Sequence, residues 1–276
     1  MKKATRRILM IVLSVVLLSS SVLVVKNWHD KQEAQRAYEE AQALAAAAAA
    51  EAEALKELEE EPVPLAEEPI IEEPVQDPLE ENAQFLMELD LEVFRETNED
   101  VLGWIHIPDT PIDFPLMKSV DNADYLNTTW DGVSSIVGSI FLECRNSHDL
   151  SDFNTLIYGH NIKGGKMFGS LHYYREQAYQ EAHPFVYIVT DEGVRRYEIF
   201  AAYEAPVTSD TYRLYFEDDA RKMSSLEHYV GSSVWHTDRE LGVDDHILTL
   251  STCTGTGRYE TRWVVQAVLT GLFTAE

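Results

Sequence analysis

A thiol at the end of one β-type run, an imidazole at the end of another and a guanidinium at the start of a third are the groups most able to do chemistry together. Cys253 closes the run Thr249-Leu250-Ser251-Thr252-Cys253, and Arg262-Trp263-Val264-Val265 begins nine residues later. A nucleophilic thiol needs a fixed position and a lowered or compensated charge, which a strand end and a nearby cation supply. Its proton acceptor is expected at His160, in Asn154-Thr155-Leu156-Ile157-Tyr158-Gly159-His160-Asn161. Separation along the chain is no objection, because cysteine and histidine partners meet in space. Neither residue type is sufficient alone: the chain has nine histidines, and an isolated cysteine is commonly a small buried apolar residue. Two arginines compete for the cationic role. Arg258 is expected in a solvent-facing loop, whereas Arg262 directly opens the apolar strand Trp263 to Val268 and should lie beside the strand ending at Cys253. Ser251 and Thr252, before the thiol, and Tyr158 and Asn161, beside the imidazole, are secondary candidates for binding substrate.

Eight β-rich runs must position these groups: Trp104 to Ile107, Ile112 to Leu116, Gly138 to Glu143, Thr155 to Gly159, Phe185 to Thr190, Arg196 to Glu204, Ile247 to Ser251 and Arg262 to Leu272. Many short strands separated by turn residues favour a closed barrel or a sandwich over a parallel α/β sheet. Before them, Asn82 to Asn98 carries Phe85, Leu86, Leu89, Val93 and Phe94 on one helical face that should pack against the strands. The long connection Thr208 to Asp245, between the sixth and seventh runs, has helical composition from Phe216 to Tyr229. Cys144, in or just past the third run, lacks the setting of Cys253 and reads as a structural thiol.

The remainder of the chain divides by composition. Lys2, Lys3, Arg6 and Arg7 precede an uncharged apolar stretch from Ile8 to Val25, which as a helix would span roughly 27 Å, close to the bilayer core of about 30 Å. Residues 1–26 therefore read as a basic stub and an uncleaved signal anchor, amino terminus inside. Residues 27–82 read as an acidic stalk and tether, rich in Ala and Glu and then in Glu and Pro; residues 83–276 read as one catalytic domain. Net charge is +5 over 1–26, −14 over 27–82 and −17 over 83–276, giving the −26 of the whole chain. So acidic a domain excludes nucleic acid as a partner, since that binding rests on basic patches. With two cysteines in an exported chain no disulfide framework is expected, and no ligand spacing calls for a metal or cofactor.

The Thr249–Cys253 and Tyr158–Asn161 motifs, with the strand opening at Arg262, resemble the sortases, cysteine transpeptidases of Gram-positive cell surfaces. Asn98 to Pro108, Gly138 to Asn146 and Lys166 to Leu171 are similar to class B segments, so the likeness runs from roughly residue 84 to the end. The resemblance implies an eight-stranded β-barrel, mainly β with added helices: one at its N-terminus and one between strands six and seven. It implies that Cys253 forms a thioester with a C-terminal sorting signal of a surface protein, that His160 moves the proton and that Arg262 binds the oxyanion or orients substrate. An amine of a peptidoglycan precursor then accepts the protein. A pilin polymerase using a lysine amine, and a catalytically silent stalked binding domain, are the other readings.

Overall fold

All eight β-rich runs become strands of one closed barrel, and a small hairpin joins them. The strands are β1 (Val101–His106), β2 (Asp113–Met117), β3 (Ile140–Leu142), β4 (Asn154–Tyr158), β5 (Asn161–Ile162), β6 (Lys166–Met167), β7 (Phe185–Thr190), β8 (Gly193–Pro206), β9 (Ile247–Cys253) and β10 (Thr261–Phe273). The computed structural model describes residues 3–59, 79, 81–254 and 260–274; Arg258 and the Glu/Pro-rich stretch 61–78 lie outside the described residues. Around the barrel the order is β1-β2-β3-β4-β9-β10-β8-β7, with β5 paired only to β6. Two neighbouring pairs, β2/β3 and β4/β9, are parallel, and the other barrel pairs are antiparallel. The long strands β8 and β10 stay paired from end to end through register shifts at Gln266/Ala267 and Leu269/Gly271. Such irregularities let a long strand bend and twist around a barrel.

Side chains alternate faces along a strand, and here both faces of β9 and β10 are buried. Trp263, Val265 and Ala267 join the main core with Leu248 and Leu250. Their neighbours Val264, Val268 and Ile247 form a second core with Leu226 and Tyr229 of a helix laid on the outside of the barrel. Burial on both faces explains why these strands read as continuous apolar runs. That helix is the one expected between the sixth and seventh runs; it ends at Ser232 and begins later than expected, at Asp219, because Asp218 caps it by accepting from the Arg221 amide at 2.8 Å.

Two expectations are corrected. Asn82 to Asn98 is not one helix: a 3₁₀ segment (Glu81–Glu88) and a single α-turn (Glu92–Arg95) replace it. Asp90 accepts from the Glu92 amide at 2.9 Å and restarts the chain there, and Leu86, Leu89, Leu91 and Phe94 are all buried. The helical stalk is also not solvated on every side. The first helix, α1, runs unbroken from Lys3 to Glu59, and its Ala34, Tyr38, Ala41 and Ala45 belong to the main core. Their four-three-four spacing makes one stripe of a helix. The Tyr38 ring meets Phe114 edge-on at 5.3 Å, Gln42 Nε2 donates to the Asp113 carbonyl at 2.7 Å, and Trp130 Nε1 donates to the Ala37 carbonyl at 3.1 Å. The apolar end of α1 is different, with Leu17 and Val24 about two-thirds exposed. By length and composition α1 contains a stretch able to cross a membrane.

The turn after β3 is organised by a buried carboxylate. Glu143 accepts from Arg145 Nε at 2.7 Å, Asn122 Nδ2 at 2.8 Å and the Tyr158 hydroxyl at 2.9 Å. Burial by itself would raise this carboxyl, yet those hydrogen bonds outweigh it and hold the group at about 2, below the ordinary 4.5. Being depressed in the folded state, the group contributes stability that is complete above pH 4.5 and lost as pH falls toward 2.

Two outcomes follow for stability. Glu143→Gln should cost roughly 2–3 kcal/mol at neutral pH and flatten the acid dependence below pH 4.5, measured by urea melts at pH 7 and pH 3; parallel pH dependences for the two proteins would remove Glu143 as the source. A fragment of residues 83–276 should fold but melt below one of 27–276, by about 3 kcal/mol or about 6–12 °C, because losing α1 uncovers Phe114 and strips Trp130 of its acceptor. Equal melting by circular dichroism would mean that α1 adds nothing to the core.

Candidate functional site

Strand register brings the three candidate groups to one rim of the barrel. β4 and β9 run parallel with Tyr158 opposite Ser251, and the Gly159 amide donates to the Ser251 carbonyl at 3.2 Å. Two residues further along each chain, His160 and Cys253 leave the barrel at the same end. On the other side of β9, Arg262 of β10 is the register partner of Cys253. The thiol thus stands on the middle strand of three, between the imidazole and the guanidinium. Cys253 is exposed, while His160 and Arg262 are half-buried.

The end of β9 is held through its backbone. The Cys253 carbonyl lies 3.0 Å from Asn161 Nδ2 and 2.9 Å from His172 Nε2. A carbonyl only accepts, so His172 is the Nε2–H tautomer. Burial pushes the His172 pKa down and keeps the ring neutral. It stacks on Trp263 at 5.7 Å, Arg175 lies over the same indole at 4.6 Å, and Trp263 Nε1 donates to the Leu171 carbonyl at 2.8 Å. These contacts pin the 3₁₀ segment Phe168–Arg175 to β10.

His160 is oriented by the same logic. Its Nε2 is 2.7 Å from the Leu126 carbonyl, so Nε2–H donates there and Nδ1 is left as the basic nitrogen. Two glycines are required around it, one of them against the ring. Gly138 has φ +63°, and a Cβ there would lie 2.8 Å from His160 Cδ2 and 2.7 Å from the Leu126 oxygen. At Gly159 a Cβ would lie 2.5 Å from Ile140 Cδ1 and 2.7 Å from Phe168 Cγ, so only glycine fits before the histidine.

Tyr212 enters from the connection before the helix Asp219–Ser232. Its hydroxyl is 3.0 Å from Ser251 Oγ; burial raises its pKa to about 12, and both Arg262 and Cys253 act on it electrostatically. A buried polar chain holds this connection in place. Tyr203 donates to Gln266 at 2.9 Å, Gln266 to Thr249 at 2.9 Å and Thr249 to Asn154 at 2.8 Å; the Asn154 amide then donates to the carbonyls of Thr211 and Arg213. The connection between the sixth and seventh barrel strands therefore divides its work: its first part reaches the site, and its helix covers the barrel.

The secondary candidates occupy varied positions. Asn161 holds the Cys253 carbonyl. Ser251 and Thr252 are buried, the first bonded to Tyr212 and the second with a buried hydroxyl that has no hydrogen-bond partner among the described residues. Tyr158 is bonded to Glu143. Cys144 points its Sγ at the Glu143 carboxylate, 3.6 Å away, and burial, reinforced by that charge, raises its pKa and keeps the thiol protonated. His172 and Tyr212 were not singled out by the sequence. His172 directly follows the Lys166–Leu171 segment, a signal that could have found it; Tyr212 carries none. A cavity of about 710 Å³ between α1 and the barrel, lined by Tyr38, Phe114 and Met167 among others, also reaches Asn161. Among the described residues no three His, Cys, Asp or Glu side chains come together as metal ligands.

This thiol, imidazole and guanidinium on adjacent strand ends can attack a carbonyl, move its proton and bind the developing oxyanion. Known proteins with this barrel are similar to the chain in sequence. A family model described as Sortase domain matches residues 105–270. Sortase B of Listeria monocytogenes is 38% identical over 188 residues, 65% of this chain and 74% of the relative. The Staphylococcus aureus sortase B–substrate complex superposes with a TM-score of 0.61 at 30% identity, covering 65% of this chain and 83% of that one. Sortase B from B. anthracis, in complex with AAEK1, reaches a TM-score of 0.67 at 27% identity, covering 88% of this chain and 99% of that one. With more than half its length inside the family model and class B enzymes as its relatives, the chain belongs to the sortase family of cysteine transpeptidases.

Proposed function

We propose that the protein is a membrane-anchored sortase that joins surface proteins to the cell wall, with Cys253 as nucleophile, His160 as proton carrier and Arg262 as oxyanion donor. The observation carrying this reading is the register that sets Cys253 between the end of β4 and the start of β10. His160 Nδ1 takes the thiol proton as Sγ of Cys253 attacks the scissile carbonyl of a C-terminal sorting signal, and the oxyanion faces the Arg262 guanidinium. His160 delivers a proton from Nδ1 to the departing amine as the C–N bond breaks, leaving a thioester. An amine of the peptidoglycan precursor then attacks the thioester, His160 takes the proton, and the new amide releases the thiolate. The relative solved as a substrate complex supports a sorting-signal substrate. The basic residues before Ile8 support an inside amino terminus, placing the barrel on the outer face.

The test is mass spectrometry of products after incubating the protein with a sorting-peptide library, with and without amine acceptors. Joined product that requires both components is expected; hydrolysis alone would make the protein a peptidase. Cys253→Ala should abolish cleavage and adduct formation while Cys144→Ala remains active, and His160→Asn should impair acyl transfer while peptide binding persists. Arg262→Lys should lose about 100- to 1,000-fold in single-turnover rate, because Lys lacks the planar fork. A severe defect in Arg258→Lys beside a mild one in Arg262→Lys would reassign the cation.

A further inference from the structure

The loop that orients His160 is held from behind by α1. The Tyr38 hydroxyl donates to the Gly138 carbonyl at 2.6 Å and lies 3.2 Å from Ser139 Oγ. Gly138 is the residue whose missing Cβ makes room for the His160 ring. The same loop turns back through Ser139, whose amide donates to the Tyr125 carbonyl at 2.9 Å and whose hydroxyl donates to the Thr128 carbonyl at 2.8 Å. Between those residues lies Leu126, whose carbonyl accepts from His160 Nε2. The layers are therefore α1, the 125–139 loop and the imidazole, with Gly138 touching both neighbours. Tyr38 is buried, so its hydroxyl cannot exchange the Gly138 carbonyl for bulk water without undocking the helix. The loop has little regular structure of its own: one 3₁₀ turn, Asp124–Leu126, and one isolated bridge between Thr128 and Ser134. Its position depends on what is packed against it.

We propose that Tyr38 is a positioning residue for the reaction, fixing the Gly138 turn that orients His160, so that the helix leading from the membrane anchor is part of the catalytic apparatus. This rests on the reading of His160 as the proton carrier. A fraction of an ångström matters at that position, because proton transfer needs hydrogen-bond reach to the reacting atoms. Helix docking in general and this contact in particular are separable. Gln42 makes another bond from α1 to the barrel, to the Asp113 carbonyl, away from the 125–139 loop.

The experiment uses the full chain in detergent micelles and the peptide from the library that it cleaves fastest. Tyr38→Phe keeps the ring against Phe114 and deletes only the hydroxyl. It should lower kcat by about 10- to 100-fold, the scale set by small misplacements of a reacting group, with KM within about twofold. Gln42→Ala should leave kcat and KM unchanged. The ring signal of His160, identified in histidine-labelled protein by its absence from His160→Asn, should move in Tyr38→Phe and stay in Gln42→Ala. A Tyr38→Phe protein with unchanged turnover and an unmoved ring signal would overturn the proposal. So would an equal loss in Gln42→Ala, which would reduce Tyr38 to general docking. Full turnover in His160→Asn would remove the catalytic reading itself and the positioning role with it.

Discussion

The parallel pairing of β4 with β9 is the constraint on which the site depends. It sends the ends of two strands far apart in sequence, at Tyr158 and Cys253, out of the same rim of the barrel. A slip of one residue in that pairing would turn each strand's side chains to the opposite face and separate imidazole from thiol. Parallel neighbours cannot be joined by a tight turn. Everything between them, the β5/β6 hairpin, the 3₁₀ segment, β7, β8 and the outer helix, is the crossover that makes the pairing achievable. Those elements are reused as walls of the site, and so His172 and Tyr212 arrive there.

Around Cys253 the protein uses neutral donors as well as charge. Two donors meet at the Cys253 carbonyl, each an ordinary hydrogen bond worth about 1 kcal/mol net, and together they fix the strand end where the β ladder stops on that side. His172 is kept neutral by burial, with Arg175 nearby adding to the effect. In a chain of net charge −26, Arg262 is the register partner of Cys253 across the ladder. Cys144 shows the opposite environment, since a carboxylate beside a thiol opposes ionisation.

The 125–139 loop links this chemistry to the rest of the molecule. It carries the carbonyl that selects the His160 tautomer and the glycine that admits its ring, and it leans on α1 through Tyr38. A helix whose apolar end is exposed and whose later turns are core residues makes that apolar stretch and the 125–139 loop mechanically continuous. The buried chain from Tyr203 to Asn154 does the same for Tyr212 on the opposite side.

The barrel strands were legible in the sequence because their signals are local. Burial on both faces writes β9 and β10 as unbroken apolar runs, and a cysteine, a histidine and an arginine at the ends of such runs stand out. Short or weak signals were not legible. Two-residue strands such as β5 and β6 have no period to read, and Asp90 splits an apolar stretch that periodicity alone joins. An alanine-rich helix has the same composition whether water or a barrel lies against it. Local pattern alone wrote the eight barrel strands, the residues at their ends and the distribution of charge. Register and packing settled which ends meet, which histidine meets the Cys253 backbone carbonyl and which face of α1 is covered, because they are set by contacts between residues that no local pattern connects.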